Sequence, residues 1–341
     1  MPGATRIPTA AGEISSADLG VTLMHEHIFI LEPDVEQNYP GGWDEEERVA
    51  DAIVKLRRLK ERGVDTIVDL TVLGLGRCIP RIKRIAEQVD LNIIVATGMY
   101  TFNELPLQFT FQDPATFFEG REVLIEMFAS DIEDGIAGTG VRAAMLKCAT
   151  DELGLTKGVE RVLRACAAVH RRTGVPISTH THAATHRGRD QQRLFCEEGI
   201  DLSRVVIGHC GDTCDLPYLR ELMEAGSTIG MDRFGIDLIL PFEQRVATVA
   251  TLCAEGYTSK MVLSHDACCH FRWLPPEQLK ALSPNWHFLH ILDDVLPALR
   301  SRGVTQSQID ELLIENPRRI FESAALPTAP PAAQPPLPSP A

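Results

Sequence analysis

Histidines concentrate at a few points of the sequence, each close after a short apolar run. Seven of the eleven histidines lie at these points: His25, His27, His180, His182, His186, His209 and His265. Imidazole is a common ligand of divalent transition metals. Because several separate segments each offer one or more such ligands, the distribution predicts a metal site assembled from different parts of the chain.

The segment His25-Glu26-His27 is the first candidate. Residues two apart on a β-strand point to the same side, so both imidazoles are expected to face one metal ion. The alternative is that both are ordinary polar side chains at a strand edge. The segment is not the helical His-Glu-x-x-His motif of zinc peptidases, since that motif needs a histidine where this chain has Phe29.

Lys147 lies in the apolar run Ala-Ala-Met-Leu-Lys-Cys-Ala, which is typical of an inner strand. Burial disfavours the charge of a lysine and lowers the pKa of its amine. A neutral amine reacts with carbon dioxide to give a carbamate, whose oxygens can bridge two metal ions. The alternative is that Lys147 reaches solvent with its tip or pairs with Asp151 or Glu152.

Further ligands are expected after the later predicted strands. In His180-Thr-His182 the spacing does not decide which imidazole is the ligand. His209 follows the next strand, and Asp266 follows the last one, where it could bind a metal or accept a proton. Two divalent ions balanced by a carbamate, one aspartate and a bridging hydroxide leave a small positive charge, which suits an anionic transition state.

Other nucleophiles have weaker support in the sequence. The segment Cys268-Cys269-His270 offers thiols, but a vicinal cysteine pair at a strand end is more typical of packing. The chain has no Gly-x-Ser-x-Gly segment, so a serine hydrolase lacks a visible nucleophile.

Short β-branched runs alternate with longer stretches of helical period, and this alternation must position the candidate ligands. The predicted strands are residues 20–24, 66–70, 92–97, 143–148, 175–179, 204–208, 228–231 and 260–264. Helices are predicted at residues 45–62, 156–173 and 216–225, each followed by a glycine. Eight β-then-α units at roughly 30-residue spacing predict an α/β protein with a (β/α)8 barrel, whose binuclear metal site lies at the carboxyl ends of the strands.

Composition restricts the partners. The chain of 341 residues has 33 basic and 47 acidic side chains, a net charge of −14, which argues against a nucleic-acid partner. The sequence has no 18-residue apolar run and no signal-peptide pattern, so we expect no membrane span and a cytoplasmic location.

Residues 1–323 are predicted to form a single barrel. Residues 324–341, with seven prolines and no charge, are predicted to be a disordered tail.

Taken in order, these motifs resemble the phosphotriesterase family of the amidohydrolase superfamily, and most of all its lactonase branch. The resemblance extends from about residue 12 to residue 322. The matching segments are Gly-Val-Thr-Leu-Met-His25-Glu-His27, Leu-Lys147-Cys-Ala-Thr, Ile-Ser-Thr-His180-Thr-His, Val-Ile-Gly-His209-Cys-Gly-Asp212, Gly-Met-Asp-Arg233-Phe-Gly and Leu-Ser-His-Asp266.

The resemblance implies a centre with two divalent metal ions. Six side chains would form its ligand set: His25, His27 and Asp266 on the buried ion, His180 and His209 on the exposed ion, and a carboxylated Lys147, with a hydroxide, between them. By the same resemblance, Tyr100 and Arg233 would line the pocket and position the substrate. Homodimers are usual in the family.

Two segments indicate the lactonase branch. Residues 232–242 form a short connection where organophosphate triesterases carry a longer insertion. Residues 267–286 are long and amphipathic, and Phe271 and Trp273 are expected to contact an acyl chain. Where triesterases place a relay histidine behind the catalytic aspartate, this chain has Arg233. Because a fixed cation cannot relay protons, Asp266 would pass its proton either to bulk water or, by another route, to Asp212.

The sequence therefore predicts a metal-dependent lactonase that opens N-acyl homoserine lactones and related lactones, with secondary phosphotriesterase activity and Asp266 as proton acceptor. The runner-up is a dedicated organophosphate phosphotriesterase, and a third reading is a barrel that only binds its ligand. Zinc is the first expectation for the metal, and iron, cobalt and manganese share its ligand preferences.

Overall fold

A curled sheet of nine strands forms the centre of the structure, a computed structural model that describes residues 5–39, 41–114 and 120–322. An amino-terminal hairpin of β1 (Arg6–Thr9) and β2 (Gly12–Ser15) precedes the sheet. The sheet contains β3 (Thr22–Ile30), β4 (Thr66–Asp69), β5 (Asn92–Gly98), β6 (Met145–Ala149), β7 (Ile177–His180), β8 (Val205–Ile207), β9 (Thr228–Met231), β10 (Met261–Leu263) and β11 (Cys268–Phe271). Consecutive strands from β3 to β10 pair in parallel.

The sheet closes on itself through the run of chain that contains β10 and β11. β11 pairs in parallel with β3 on the side away from β4. Between β10 and β11, the amide of Asp266 donates to the carbonyl oxygen of His25 at 3.0 Å, and the amide of His27 donates to that of Ala267 at 2.8 Å. The last strand position is thus shared by β10 and β11, and the architecture is the predicted (β/α)8 barrel.

Helices follow the strands and cover the outside of the barrel. They are α1 (Pro33–Asn38), α2 (Glu45–Glu61), α3 (Ile79–Ala86), α4 (Leu107–Phe111), α5 (Val123–Glu133), α6 (Lys157–Thr173), α7 (Arg187–Glu197), α8 (Leu216–Glu224), α9 (Phe242–Ala254), α10 (Pro276–Leu282), α11 (Leu296–Ser301), α12 (Gln306–Asp310) and α13 (Asn316–Glu322). The Thr156 hydroxyl accepts from the amide of Val159 and begins α6, and Gly174 at φ 72° ends it. No helix within the described ranges has the length and apolar composition of a membrane span.

The three predicted helices agree with the structure to within one residue at each end, but the first strand does not end at Met24. β3 continues to Ile30, so His25 and His27 lie inside a strand. The extension forms because residues 27–30 pair with β11, which was not predicted as a strand. The hairpin of β1 and β2 was also not predicted. The predicted tail, residues 324–341, lies outside the described residues.

An apolar cluster fills the lower part of the barrel. Met24, Val68, Ile94, Met145 and Val206 are buried in it, together with residues of β1 and α13. Such layers of apolar side chains make a barrel interior a packed core rather than a pore. The polar side chains near the strand ends therefore lie over an apolar floor.

Candidate metal centre

Two imidazoles of β3 line the same cavity at the carboxyl end of the barrel. His25 and His27 are both buried, and β3 carries a bulge between Leu23 and Glu26 that changes the local direction of its side chains. The Nδ1 atom of His25 lies 2.7 Å from Oδ2 of Asp232, and Nδ1 of His27 lies 2.9 Å from the hydroxyl of Thr71. With Nδ1 occupied in both rings, each Nε2 is available for another partner.

Asp266 lies between these two rings. Its Oδ1 atom is 3.0 Å from Nε2 of His27 and 3.4 Å from Nε2 of His25. Its backbone has a φ of 56°, the left-handed region, which costs energy for a residue with a side chain. Burial would raise the pKa of Asp266, but His25, His209, His27 and Arg233 outweigh it and hold that pKa well below its usual range. The carboxylate is therefore anionic at neutral pH.

Lys147 of β6 projects into the same group. It is almost completely buried, and its Nζ lies 3.0 Å from Nε2 of His25 and 3.3 Å from the carbonyl oxygen of Thr179. Burial lowers its pKa to about 8, and the carboxylates of Asp266 and Asp232 only partly offset this. The contacts place the amine among the candidate ligands rather than in solvent.

His209, two residues after β8, and His180, the last residue of β7, complete the cluster. His209 is at φ 58°, its Nδ1 lies 3.0 Å from Oδ1 of Asp232, and its ring stacks on that of His25 at 4.7 Å. His180 is buried with its ring 4.5 Å from that of His209. The alternative residue, His182, instead contacts the hydroxyl of Thr185 through Nδ1 at 2.8 Å. The structure therefore brings His180, and not His182, into the cavity.

The lowered pKa values of His25, His180 and His209 keep these three imidazoles neutral at pH 7. Burial, followed by the charge of Lys147, lowers the pKa of His25, and burial with Arg233 lowers that of His209. Burial lowers the pKa of His180 to about 4, although its bond to Asp151 opposes the shift. Because a metal binds the neutral imidazole, these three side chains need not release a proton before a metal binds.

Two carboxylates behind the cluster were not predicted. The carboxylate of Asp232, after β9, contacts Nδ1 of both His25 and His209. The carboxylate of Asp151, after β6, contacts Nε2 of His180 at 2.8 Å. Carboxylates in these positions fix the orientation of ligating imidazoles. The position of Asp232 at a strand end was visible in the sequence, but nothing in its spacing linked it to two histidines.

The donor set fits divalent metal ions. One nitrogen or oxygen atom each from His25, His27 and Asp266 lie within 4.8 Å of one another, and all three residues are buried. His180 adds a buried Nδ1 that has no hydrogen-bond partner among the described residues. A buried imidazole nitrogen without a partner is costly unless a ligand satisfies it.

Glu26, on the opposite side of β3, holds the chain on either side of Asp266. Its Oε1 accepts from the Ser264 hydroxyl, the amide of His265 and Nδ1 of His265 at 2.7–2.9 Å. Its Oε2 accepts from the amide of Ala267 at 2.9 Å. Because these donors flank Asp266, the buried carboxyl group of Glu26 supports the left-handed conformation at that residue.

Arg233 and Tyr100 lie beside the cluster and line the cavity. Nε of Arg233 donates to Oδ2 of Asp266 at 2.9 Å. Burial opposes the charge of Arg233, but Asp266 and Asp212 outweigh it and raise its pKa. Burial raises the pKa of Tyr100, so its phenol stays protonated. Its ring meets that of His180 edge-on at 5.4 Å.

The cavity extends from this polar cluster to an apolar wall, with a volume of about 280 Å³. The wall is formed by side chains of two segments: Ile236, Leu238, Ile239, Phe271, Trp273, Leu274, Leu279, Leu282 and Trp286. Trp273 is at the rim, 42% exposed, and its indole N–H donates to Glu32. Leu238 and Leu282 are also exposed. The cavity thus has a charged floor and an apolar mouth.

Comparison with known proteins agrees with this arrangement. The profile of the phosphotriesterase family matches residues 5–321. The chain belongs to the phosphotriesterase family. It is 62% identical over 315 residues to a phosphotriesterase homology protein of Mycobacterium tuberculosis, covering 92% of this chain and 97% of that protein. It is 38% identical over 321 residues to an aryldialkylphosphatase of Saccharolobus solfataricus, covering 93% and 99%.

Solved structures of the phosphotriesterase family have the same fold. The phosphotriesterase structure from Mycobacterium tuberculosis superposes with a TM-score of 0.92 at 61% identity, over 94% of this chain and 99% of that one. A structure described as molecular engineering of organophosphate hydrolysis activity from a weak promiscuous lactonase template gives a TM-score of 0.86 at 34% identity, over 93% and 100%. This phosphotriesterase-family chain is a hydrolase of a binuclear metal-dependent family.

Proposed function

We propose that the chain is a lactonase that opens N-acyl homoserine lactones and related lactones, with a weaker activity on phosphotriesters. The observation that supports this best is the cavity, in which the polar cluster is continuous with an apolar wall of residues 271–286. A lactone ring carries a reactive carbonyl, and an acyl chain is apolar. The floor and the mouth of the cavity offer complementary surfaces to these two parts.

We propose that the metal centre holds two ions, with zinc as the expected metal. His25, His27 and Asp266 would hold the buried ion, His180 and His209 would hold the exposed ion, and a carboxylated Lys147 would contribute to both. When bound, such ions supply an activated water at neutral pH and polarise the carbonyl group that is attacked. The buried amine of Lys147, with its pKa lowered to about 8, is suited to carboxylation because a larger share of it is neutral. We also expect a homodimer in the cytoplasm.

Three residues act directly on the substrate in this proposal. Asp266 accepts the proton of the attacking water and returns it to the leaving alkoxide. Its Oδ2 is held by Arg233 at 2.9 Å, which fixes the carboxylate for both transfers. Arg233 and the protonated phenol of Tyr100 line the cavity and can donate hydrogen bonds to the substrate.

Opening a lactone with water yields one proton more than the alkoxide takes up, and in this proposal that proton leaves through the cavity to bulk water. Asp212 is on the far side of Arg233, which donates to it with Nη1 at 3.0 Å. A guanidinium keeps its protons at neutral pH, so it cannot pass them from Asp266 to Asp212. This contact supports bulk solvent, rather than Asp212, as the acceptor of that proton.

A dedicated organophosphate triesterase is the second candidate function. The relative from Saccharolobus solfataricus bears the name aryldialkylphosphatase, and a phosphotriester has a tetrahedral centre like that of an attacked lactone. The apolar mouth with exposed Leu238 and Leu282 favours a flexible chain over a compact aryl ester.

The deciding experiment compares kcat/KM for short-chain and long-chain homoserine lactones with that for an aryl dialkyl phosphotriester, using purified protein whose metal content is measured. We expect about two ions per chain, by the two-ion chemistry of such centres, and a preference for lactones of at least one order of magnitude, about 1.4 kcal/mol. A preference for the phosphotriester would establish the second candidate and leave the metal centre unaffected.

A further inference from the structure

A second cavity, of about 470 Å³, lies on the other side of the segment that forms the apolar wall. It is enclosed by α2, β11, α10 and the chain after α10. Four side chains, Phe271, Leu279, Ser283 and Trp286, line both this cavity and the catalytic one. The helix α10 has no buried residue, so this part of the chain separates two spaces rather than packing into the core.

Positive charge predominates in the lining of this second cavity. Its cations are Arg48, Lys55, Arg58 and Lys280, and its one carboxylate is Asp51. Asp51 is paired with Lys55 at 2.7 Å, and Arg48 lies 3.8 Å from the exposed Glu47. Within the described ranges, Arg58 and Lys280 have no carboxylate at ion-pair distance. In a chain with a net charge of −14, this local excess favours an anionic ligand.

Two buried nitrogens in the lining have no hydrogen-bond partner among the described residues. They are Nε of Arg48 and Nε2 of His270. Burial, with the charges of Arg48 and Arg272, lowers the pKa of His270 to about 4, so its ring is neutral at pH 7. Both atoms are closed to solvent, so a ligand in the cavity would contact Arg48 through its terminal guanidinium nitrogens, which are suited to a carboxylate oxygen.

The rest of the lining is apolar. The apolar lining residues contribute ring and aliphatic surface: Phe271, Leu279, Trp286, Phe288 and Leu289. We propose that this cavity binds a small amphiphilic carboxylate, whose head contacts Arg48, Arg58 and Lys280 and whose chain lies against Leu279 and Trp286. The proposal does not depend on which ester the catalytic centre hydrolyses.

Titration calorimetry of the metal-loaded protein with octanoate tests this site. Two ligands serve as comparisons: 1-octanol has the chain without the charge, and acetate has the carboxylate without the chain. We expect octanoate to bind about tenfold more tightly than 1-octanol, as the loss of one charge-assisted hydrogen bond implies. It should also bind at least about tenfold more tightly than acetate, which lacks most of the apolar chain. The double variant Arg58→Glu, Lys280→Glu should weaken octanoate binding by at least as much. Arg193→Glu, which changes an exposed cation on α7, should not change it.

A carboxylate could also enter the catalytic cavity, so Leu238→Ala separates the two locations. Leu238 lines the catalytic cavity and not the second one. We expect this variant to bind octanoate like the wild type. The proposal is wrong if octanol binds as tightly as octanoate, if the double variant keeps the wild-type affinity, or if only Leu238→Ala weakens binding.

Discussion

One guanidinium joins Asp266 to a second buried carboxylate: Arg233 donates to Oδ2 of Asp266 at 2.9 Å and to Oδ2 of Asp212 at 3.0 Å. Asp212 is held in turn by Nη2 of the buried Arg245 at 2.8 Å. Arg245 also donates to the carbonyl oxygen of Gly211. Cations and carboxylates alternate along this chain of contacts, which therefore fixes the direction in which Asp266 presents its other oxygen to His25 and His27.

Arg233→Lys should lower kcat/KM about 10- to 100-fold while the metal content stays the same. A lysine cannot reach both carboxylates with planar geometry, and one charge-assisted hydrogen bond is worth about 1.5–3 kcal/mol. Steady-state kinetics with metal analysis measures both quantities. Arg193→Lys on the exposed face of α7 is the matched control. An unchanged kcat/KM in Arg233→Lys would show that Asp266 does not depend on this contact.

Lys147→Ala should lose metal and activity together, because it removes the proposed bridging carbamate and opens a gap beside His25. Adding a short-chain carboxylic acid should restore part of both, since its carboxylate replaces the missing oxygens. Metal analysis and turnover are measured with and without the acid. Lys147→Met removes the amine but keeps most of the side-chain volume. It therefore tests the amine without opening a gap that an added acid could fill. Full turnover in Lys147→Met would rule out a role for this amine.

Glu26→Gln should lower the free energy of unfolding by about 1–3 kcal/mol, because an amide nitrogen cannot accept and leaves at least one buried donor unpaired. Since the four donors flank Asp266, we also expect faster loss of metal on dialysis. Glu13→Gln at an exposed site is the control. Lower stability with normal metal retention and normal kcat would mean that Glu26 supports the fold without positioning Asp266.

The sequence was sufficient to predict the barrel and the candidate ligands that line its cavity. Alternation of strands and helices predicted the architecture, and residue type with strand-end position indicated His25, Lys147 and Asp266. The sequence was not sufficient to predict which carboxyl groups form hydrogen bonds with these ligands or with the chain beside them. Asp232 and His25 are 207 positions apart, and Glu26 and His265 are 239 apart. Such pairs have no local period, so only the closed barrel brings them together.

The first strand and the unpredicted β11 show a related limit. Strands usually have at least one apolar face. The three consecutive polar residues of His25-Glu26-His27 therefore indicate that the strand ends before them. Here the polar residues are buried on both sides, by the other candidate metal ligands and by the chain around His265. A strand that buries polar groups through specific contacts lacks the alternation on which strand prediction depends.

His270 should make the fold less stable as the pH falls. Burial lowers its pKa from 6.5 to about 4 in the folded chain, so between these values the unfolded chain binds the extra proton. The stability contributed by neutral His270 is complete above pH 6.5 and is lost as the pH falls towards 4. Because the side chain is only about half buried, the loss should be about 1 kcal/mol or less.

Chemical denaturation of wild type and His270→Gln between pH 7 and pH 4.5 measures the effect of His270. The free energy of unfolding of the wild type should fall more steeply than that of the variant. His182→Gln, an imidazole that contacts Thr185 outside the cluster, is the control and should follow the wild type. Parallel curves for wild type and His270→Gln would contradict the prediction.

Trp273→Ala should reduce the preference for long acyl chains. Each buried methylene is worth about 0.8 kcal/mol, so four additional carbons could add about 3 kcal/mol of binding if the apolar wall covers them. Trp273 packs edge-on against Phe271 at 5.3 Å and is the largest side chain at the rim. We expect kcat/KM for the long-chain lactone to fall by about tenfold or more, and that for the short-chain lactone to change little. Leu153→Ala, an exposed apolar side chain outside the cavity, is the control. An equal loss for both chain lengths would place the contribution of Trp273 in the shape of the segment rather than in contact with the chain.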